Sequence, residues 1–154
     1  MLLQDLIGAD AILPHLQAGT KKQALQDISD VAGRVSGLPA REIFDVLLQR
    51  ERLGSTGVGN GIAIPHGKLA RASRIFGVFA RLDRPIQFEA LDGAPVDLIF
   101  MLIAPENAGA DHLKALSRIA RVLRDTSMTD RLRAARDGTA MYAMMTAVPT
   151  SHAA

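Results

Sequence analysis

Four histidines and no cysteines set the terms for any chemistry in this 154-residue chain. Without thiols there is no disulfide scaffold, no thiol nucleophile and no thiolate metal site, and the usage fits a reducing compartment. His66 stands out by its neighbours. It follows the apolar run Ile62–Ala63–Ile64 and lies between Pro65 and Gly67. Proline biases the preceding residue to extended geometry and offers no N–H, while glycine lets a bulky group approach closely. An imidazole held on stiff backbone with open space beside it can act as a nucleophile that a partner must reach. The same spacing also fits a hydrogen-bonded structural histidine at a strand–loop junction.

His112 is the second candidate. It opens a helical stretch beside Asp111, where backbone N–H groups and the helix dipole favour an anion, although a helix-start histidine next to a capping aspartate needs no ligand at all. Arg50 precedes the glycine-rich segment. Its planar fork suits phosphate oxygens, and as a cation at a helix C-terminus it would also favour the dipole. Arg118, Arg121 and Arg124 share one face of the same helix as His112, which reads as a solvated face or a meeting point for an acidic partner. His15 and His152 have no supporting neighbours and read as surface residues.

Several familiar sites are excluded. Gly61 and Gly67 enclose five residues and Lys68 is followed by Leu69, so there is no P-loop, and the alternation of Gly57, Gly59 and Gly61 breaks the dinucleotide fingerprint. There is no GxSxG elbow. Zinc would need three or four ligands, and His66 with His112 supplies two, so no metal or other cofactor is expected.

The elements that must position these residues can be read from periodicity. Thr20 and Gln23 form a capping-box pattern, and Leu25, Ile28, Val31, Ala32 and Val35 recur at helical spacing, which predicts a helix over 21–36 ended by Gly37. Pro39 suits the first turn of a second helix that runs to about Arg52 with Ile43, Phe44, Leu47 and Leu48 as its apolar face. The stretch GSTGVGNG, residues 54–61, reads as a shaped loop. Strands are expected over 62–64, 75–82 and 96–103, the last apolar enough to be covered on both faces. Leu113, Leu116, Ala120 and Leu123 predict a third helix over 110–124, and Thr126 and Thr139 are candidate caps for two short helices. Alternating helices and strands argue for an α/β fold, a three-layer sandwich with helices on both faces of a mixed sheet.

Composition agrees with one domain. Apolar residues make up 48% and charged residues 22%, and the formal net charge is only +2, so a high isoelectric point is weak support for nucleic-acid binding and none is expected. Asp5 and Asp10 sit where a secretory signal would be basic, and the apolar run from Val96 to Ala104 is too short to span a bilayer. The expectation is a cytoplasmic protein with no membrane insertion, a single domain over 1–147 and a flexible tail over 148–154.

The run RERLGSTGVGNGIAIPHGK, from Arg50 to Lys68, resembles the active-site signature of the mannitol/fructose-type enzyme IIA family of the bacterial phosphotransferase system, and its Gly-Asn-Gly and Pro-His-Gly-Lys forms are most similar to the nitrogen-regulatory branch. Lys21–Lys22, FEALDGAPVDLIFMLIAP from Phe88 and HLKALSRIARVL from His112 extend the resemblance over roughly 1–147. It implies that His66 is the phosphorylated residue, that His112 neighbours the phosphoryl group, that Arg50 assists transfer, and that Ser55 and Thr56 are the hydroxyl pair that binds or orients the transferred group. It also implies a sheet of about five strands, a histidine-containing phosphocarrier protein (HPr/NPr-like) as donor, and target proteins regulated by phosphorylation state. Two alternatives stand beside this reading: a sugar-specific IIA that passes phosphate to a permease, and a non-catalytic regulatory binding module.

Overall fold

The computed structural model describes residues 1–147, and the tail expected over 148–154, with His152, lies outside the described residues. After two 3-10 turns at Leu3–Asp5 and Ala9–Ala11, the chain forms β1 (Ile12–Leu16), α1 (Lys21–Ser36), α2 (Ala40–Arg52), β2 (Gly57–Gly59), β3 (Ile62–Ala63), β4 (His66–Leu69), β5 (Phe76–Ile86), β6 (Val96–Pro105), α3 (Ala110–Arg124), α4 (Thr126–Ala134) and α5 (Gly138–Thr146).

The six strands form one mixed sheet in the order β1-β5-β6-β3-β2, with β4 also paired to β6. β3 pairs with Leu98 and Ile99 of β6, and β4 pairs with Leu102 to Pro105. The two short strands therefore lie end to end along β6 and share one position, so the sheet is five positions wide. Pro65 explains the break between them. It has no N–H to give to a ladder, yet its carbonyl still accepts from Leu102 N–H at 2.9 Å. The strand expected over 62–64 thus ends one residue early and resumes at His66, a continuation that periodicity did not reveal.

β6 is the centre. Leu98, Ile99, Phe100, Met101, Leu102 and Ile103 are all buried, as a strand covered on both faces requires. The covering helices fall into two groups. α1 and α2 pack on each other and on β5 and β4; α3 rests on β6 and α5 on β1, with α4 packed between those helices. The fold is the three-layer α/β sandwich expected from the sequence.

Thr20 Oγ1 accepts from Gln23 N–H at 3.1 Å, but the Gln23 side chain turns to Asp27 instead of back to the cap, so half of the capping box forms. Gly37 ends α1 at φ +78. Pro39 is the N-cap of α2 rather than its first turn. The caps of α4 and α5 are Asp125 and Asp137, whose carboxylates accept from Ser127 and Ala140 N–H. Thr126 and Thr139 are corrected to positions inside those helices, because the aspartate just upstream in each case meets the free N–H groups first.

Candidate functional site

His66 is the first residue of β4, paired in register with Leu102. It sits there because Pro65 interrupts the strand and the chain re-enters the sheet one residue later. Its Nδ1 lies 2.8 Å from the carbonyl oxygen of Ile64. A carbonyl only accepts, so Nδ1 carries the proton and Nε2 carries the free lone pair. Gly67 lies where α2 comes close: a Cβ at 67 would stand 3.1 Å from Val46 Cγ2. Arg50 is one helical turn beyond Val46, on the same face of α2, which brings its charge to the imidazole. The Arg50 Nη1 also donates to Gly54 O at 2.9 Å.

His112 reaches the site from α3. The ring centroids of His66 and His112 are 5.7 Å apart. The buried stripe of α3 is His112, Ala115, Ile119 and Leu123, whereas Leu113 is 68% exposed. The face expected to start at Leu113 is therefore rotated by one residue, and that rotation turns His112 inward. Its Nδ1 is enclosed and has no hydrogen-bond partner. Orphaned buried N–H groups are rarer than orphaned acceptors, which favours the ring proton on Nε2. Gly109, not Asp111, is the N-cap of α3 and makes no side-chain bond. The N–H groups of Asp111 and His112 already donate to Ala108 O and Gly109 O, so they are not the open anion site that the sequence suggested.

Both imidazoles titrate below the ordinary histidine range. For His66 burial is the largest cause; the bond to Ile64 O opposes it, the Arg50 charge adds to it and the Glu51 charge opposes it. For His112 burial again leads, followed by the charges of His66 and Lys68. Each ring is therefore neutral at pH 7, the state in which Nε2 of His66 can attack.

The glycine-rich segment is more ordered than a loop. Gly57–Gly59 and Ile62–Ala63 pair as an antiparallel hairpin, closed by Asn60 and Gly61 at φ +57 and +79. Two consecutive positive φ values make the type I′ turn that Asn-Gly favours; the dipeptide itself was the signal to read. Ser55 and Thr56 stand between α2 and this hairpin. Ser55 Oγ donates to Phe88 O at 2.7 Å and accepts from Gly57 N–H at 3.0 Å. The Thr56 hydroxyl donates to the Glu51 carboxylate. Both hydroxyls are engaged in the loop's own bonding, so what they do in the structure is shape it.

The site residue that sequence reasoning missed is Glu51, 7% exposed, with a carboxylate 2.9 Å from Lys21 Nζ. Its signal was present: Glu51 continues the Ile43–Leu47 stripe at i+4, a carboxylate where a buried face predicts an apolar residue. His15 lies elsewhere, paired with Asp83 at 3.2 Å on the exposed surface. Arg121 and Arg124 are exposed as expected, while Arg118 is half-buried with an enclosed Nε. Among the described residues no helix is long and apolar enough to cross a membrane.

Chemically, an α/β sandwich that presents one oriented neutral imidazole beside a second histidine and an arginine can receive a phosphoryl group. Comparison with known proteins agrees. Residues 5–148 match the family described as phosphoenolpyruvate-dependent sugar phosphotransferase system, EIIA 2, and the chain belongs to that family. A nitrogen regulatory protein of Bradyrhizobium diazoefficiens is 56% identical over 99% of this chain and 100% of its own length. The nitrogen regulatory protein of Escherichia coli K12 is 41% identical over 94% of this chain and 89% of its own. The crystal structure of nitrogen regulatory protein IIA-Ntr from Neisseria meningitidis superposes with a TM-score of 0.87 at 36% identity, covering 92% of this chain and 97% of that one. The mannitol IIA of Escherichia coli, at 22% identity and a TM-score of 0.77, shares the fold.

Proposed function

We propose that this chain is a cytoplasmic phosphoryl carrier of the nitrogen-regulatory kind, which takes a phosphoryl group on Nε2 of His66 from a histidine-containing phosphocarrier protein and regulates target proteins by its phosphorylation state. The observation that carries the proposal is the 2.8 Å bond between His66 Nδ1 and Ile64 O. It fixes the tautomer, so the outward nitrogen is always the one with the lone pair.

In the transfer step the Nε2 lone pair attacks phosphorus and a P–N bond forms. The donor's P–N bond breaks, and its electron pair returns to the donor ring, which leaves as a neutral imidazole if its other nitrogen carries a proton. The proton stays on Nδ1, still donated to Ile64 O, so the His66 ring takes up the positive charge that the donor ring gives up. The group itself does most of the chemistry, and the protein supplies position and charge. The phosphoryl group brings about two negative charges at neutral pH. Arg50 opposes them, and the Nε2–H of His112 can donate to a phosphoryl oxygen. A cation 4 Å from a unit charge is worth about 1 kcal/mol in water and about 4 kcal/mol at an effective dielectric of 20. That holds the group without trapping it, which suits a carrier that must also release. Ser55 and Thr56 serve by shaping the loop between Arg50 and the hairpin.

The relatives at 56% and 41% identity carry the name nitrogen regulatory protein, which favours a regulatory carrier over a sugar-specific IIA. The intact set of His66, His112 and Arg50 favours a carrier over a purely binding module. Incubation with phosphoenolpyruvate, enzyme I and the phosphocarrier protein, followed by intact mass, tests the proposal. The expected result is one acid-labile phosphoryl group in the wild type and none in His66→Ala. Equal labelling of the two would overturn it.

A further inference from the structure

Glu51 is a buried carboxylate that the transfer step above does not use. An unmatched charge there would cost several kcal/mol, and this one is matched on three sides. Lys21 Nζ stands 2.9 Å from Oε1, Thr56 N–H donates to the two oxygens at 3.2 and 3.1 Å, and the Thr56 hydroxyl donates to Oε2. These bonds join the end of α2 to the start of α1 and to the residue just before β2. Lys21 also reaches Glu89 Oε1 at 3.2 Å and lies 4.8 Å from the centre of the Phe88 ring, while Ser55 holds Phe88 O. The loop 54–57 is thus clamped between three segments with Glu51 at the centre. Arg50 precedes Glu51 in the chain, and its guanidinium donates to Gly54 O inside that clamped loop.

We propose that Glu51 is a positioning residue for phosphoryl transfer, a buried anchor that fixes the 54–57 loop and thereby sets where the Arg50 guanidinium stands relative to His66. The proposal rests on the reading of His66 as the phosphoryl acceptor. Glu51 touches neither imidazole through any hydrogen bond; it works through Arg50. Its charge also opposes that of Arg50 at the His66 ring.

The test is a double-mutant cycle. Single-turnover transfer from the phosphorylated carrier protein is measured for wild type, Arg50→Ala, Glu51→Gln and the double variant, with thermal unfolding recorded for each. Glu51→Gln keeps the size of the side chain but removes the Lys21 ion pair and places an amide among donors. It is expected to lower the saturated rate about tenfold with little change in the donor concentration at half-maximal rate. The double variant is expected to be no slower than Arg50→Ala alone, because both act through one guanidinium. A Glu51→Gln protein that transfers at the wild-type rate, or losses that multiply in the double variant, would overturn the proposal. If Glu51→Gln does not fold, Thr56→Val removes one tie, keeps the ion pair and is judged by the same comparison with Arg50→Ala. A wild type that takes no phosphoryl group from an active donor removes the underlying reading itself, and the proposal with it.

Discussion

At the residue scale the account turns on one bond and two neighbours. Ile64 O holds the Nδ1 proton of His66, and the ring is kept neutral by burial. The folded protein resists protonation of His66 and His112 below the ordinary imidazole range of about 6.5, whereas the unfolded chain does not. The unfolded state then binds more protons in that window, so stability falls as pH drops from about 6.5 toward the lowered folded values. Unfolding temperature measured from pH 8 to 5 is expected to decline in the wild type and to decline less in His66→Gln. The transfer rate should be level between pH 7 and 8, where the ring is already neutral. Arg50→Ala, which removes one cation from the phosphoryl group, is expected to slow labelling about 10- to 100-fold, read by quenched-flow mass analysis.

At the element scale the site exists because three chain segments meet at one place: the end of α2 at Arg50–Arg52, the break between β3 and β4 at Pro65, and the first turn of α3 at His112. Those three ends were legible in the sequence, since each carries a strong local signal: a helix face giving way to glycines, a proline after an apolar run, and a sustained apolar period after Gly109. The residues His66, Arg50 and His112 were therefore singled out, and the structure brings them together. What escaped notice depends on tertiary partners. Glu51 reads as the polar end of a helix until Lys21, thirty residues earlier, is seen beside it. The strand His66–Leu69 is too short and too mixed to announce itself without β6 as its template. The hairpin at Asn60–Gly61 was readable and shows how a local turn can be hidden inside a stretch that looks merely glycine-rich. Its geometry yields a test. A Cβ at residue 61 would require a side chain at φ +79 and would stand 2.6 Å from Arg133 Nη2 and 2.9 Å from Asp97 Oδ1. Gly61→Ala is expected to cost about 2 kcal/mol in chemical denaturation, from the left-handed backbone and the displaced Arg133–Asp97 pair.

At the scale of the whole molecule, β5 is tied to the second helical group by a side chain remote from the chemistry. Arg81 on β5 donates through Nε to Pro14 O at 3.1 Å and through Nη1 to Leu132 O and Ala135 O at 3.0 and 2.7 Å. It thereby satisfies the terminal carbonyls of α4 and links them to β1, the work usually done by a cap. Arg81→Met is expected to destabilise the protein by about 2 kcal/mol while leaving the labelling rate at the wild-type value, since no group of the site depends on that corner. β6 and its covering helices supply a rigid frame, and the chemistry is placed at the frame's edge, where a partner protein can reach it.

The most direct measurement is the identity of the phosphorylated nitrogen. The protein, labelled with 15N at histidine and phosphorylated by its carrier, would be followed by long-range 1H–15N correlation with phosphorus coupling. The expected spectrum assigns the phosphoryl group to Nε2 of His66 with its Nδ1–H intact. A phosphoryl group on Nδ1 of His66, or on His112, would contradict the central claim that the bond to Ile64 chooses the nucleophile.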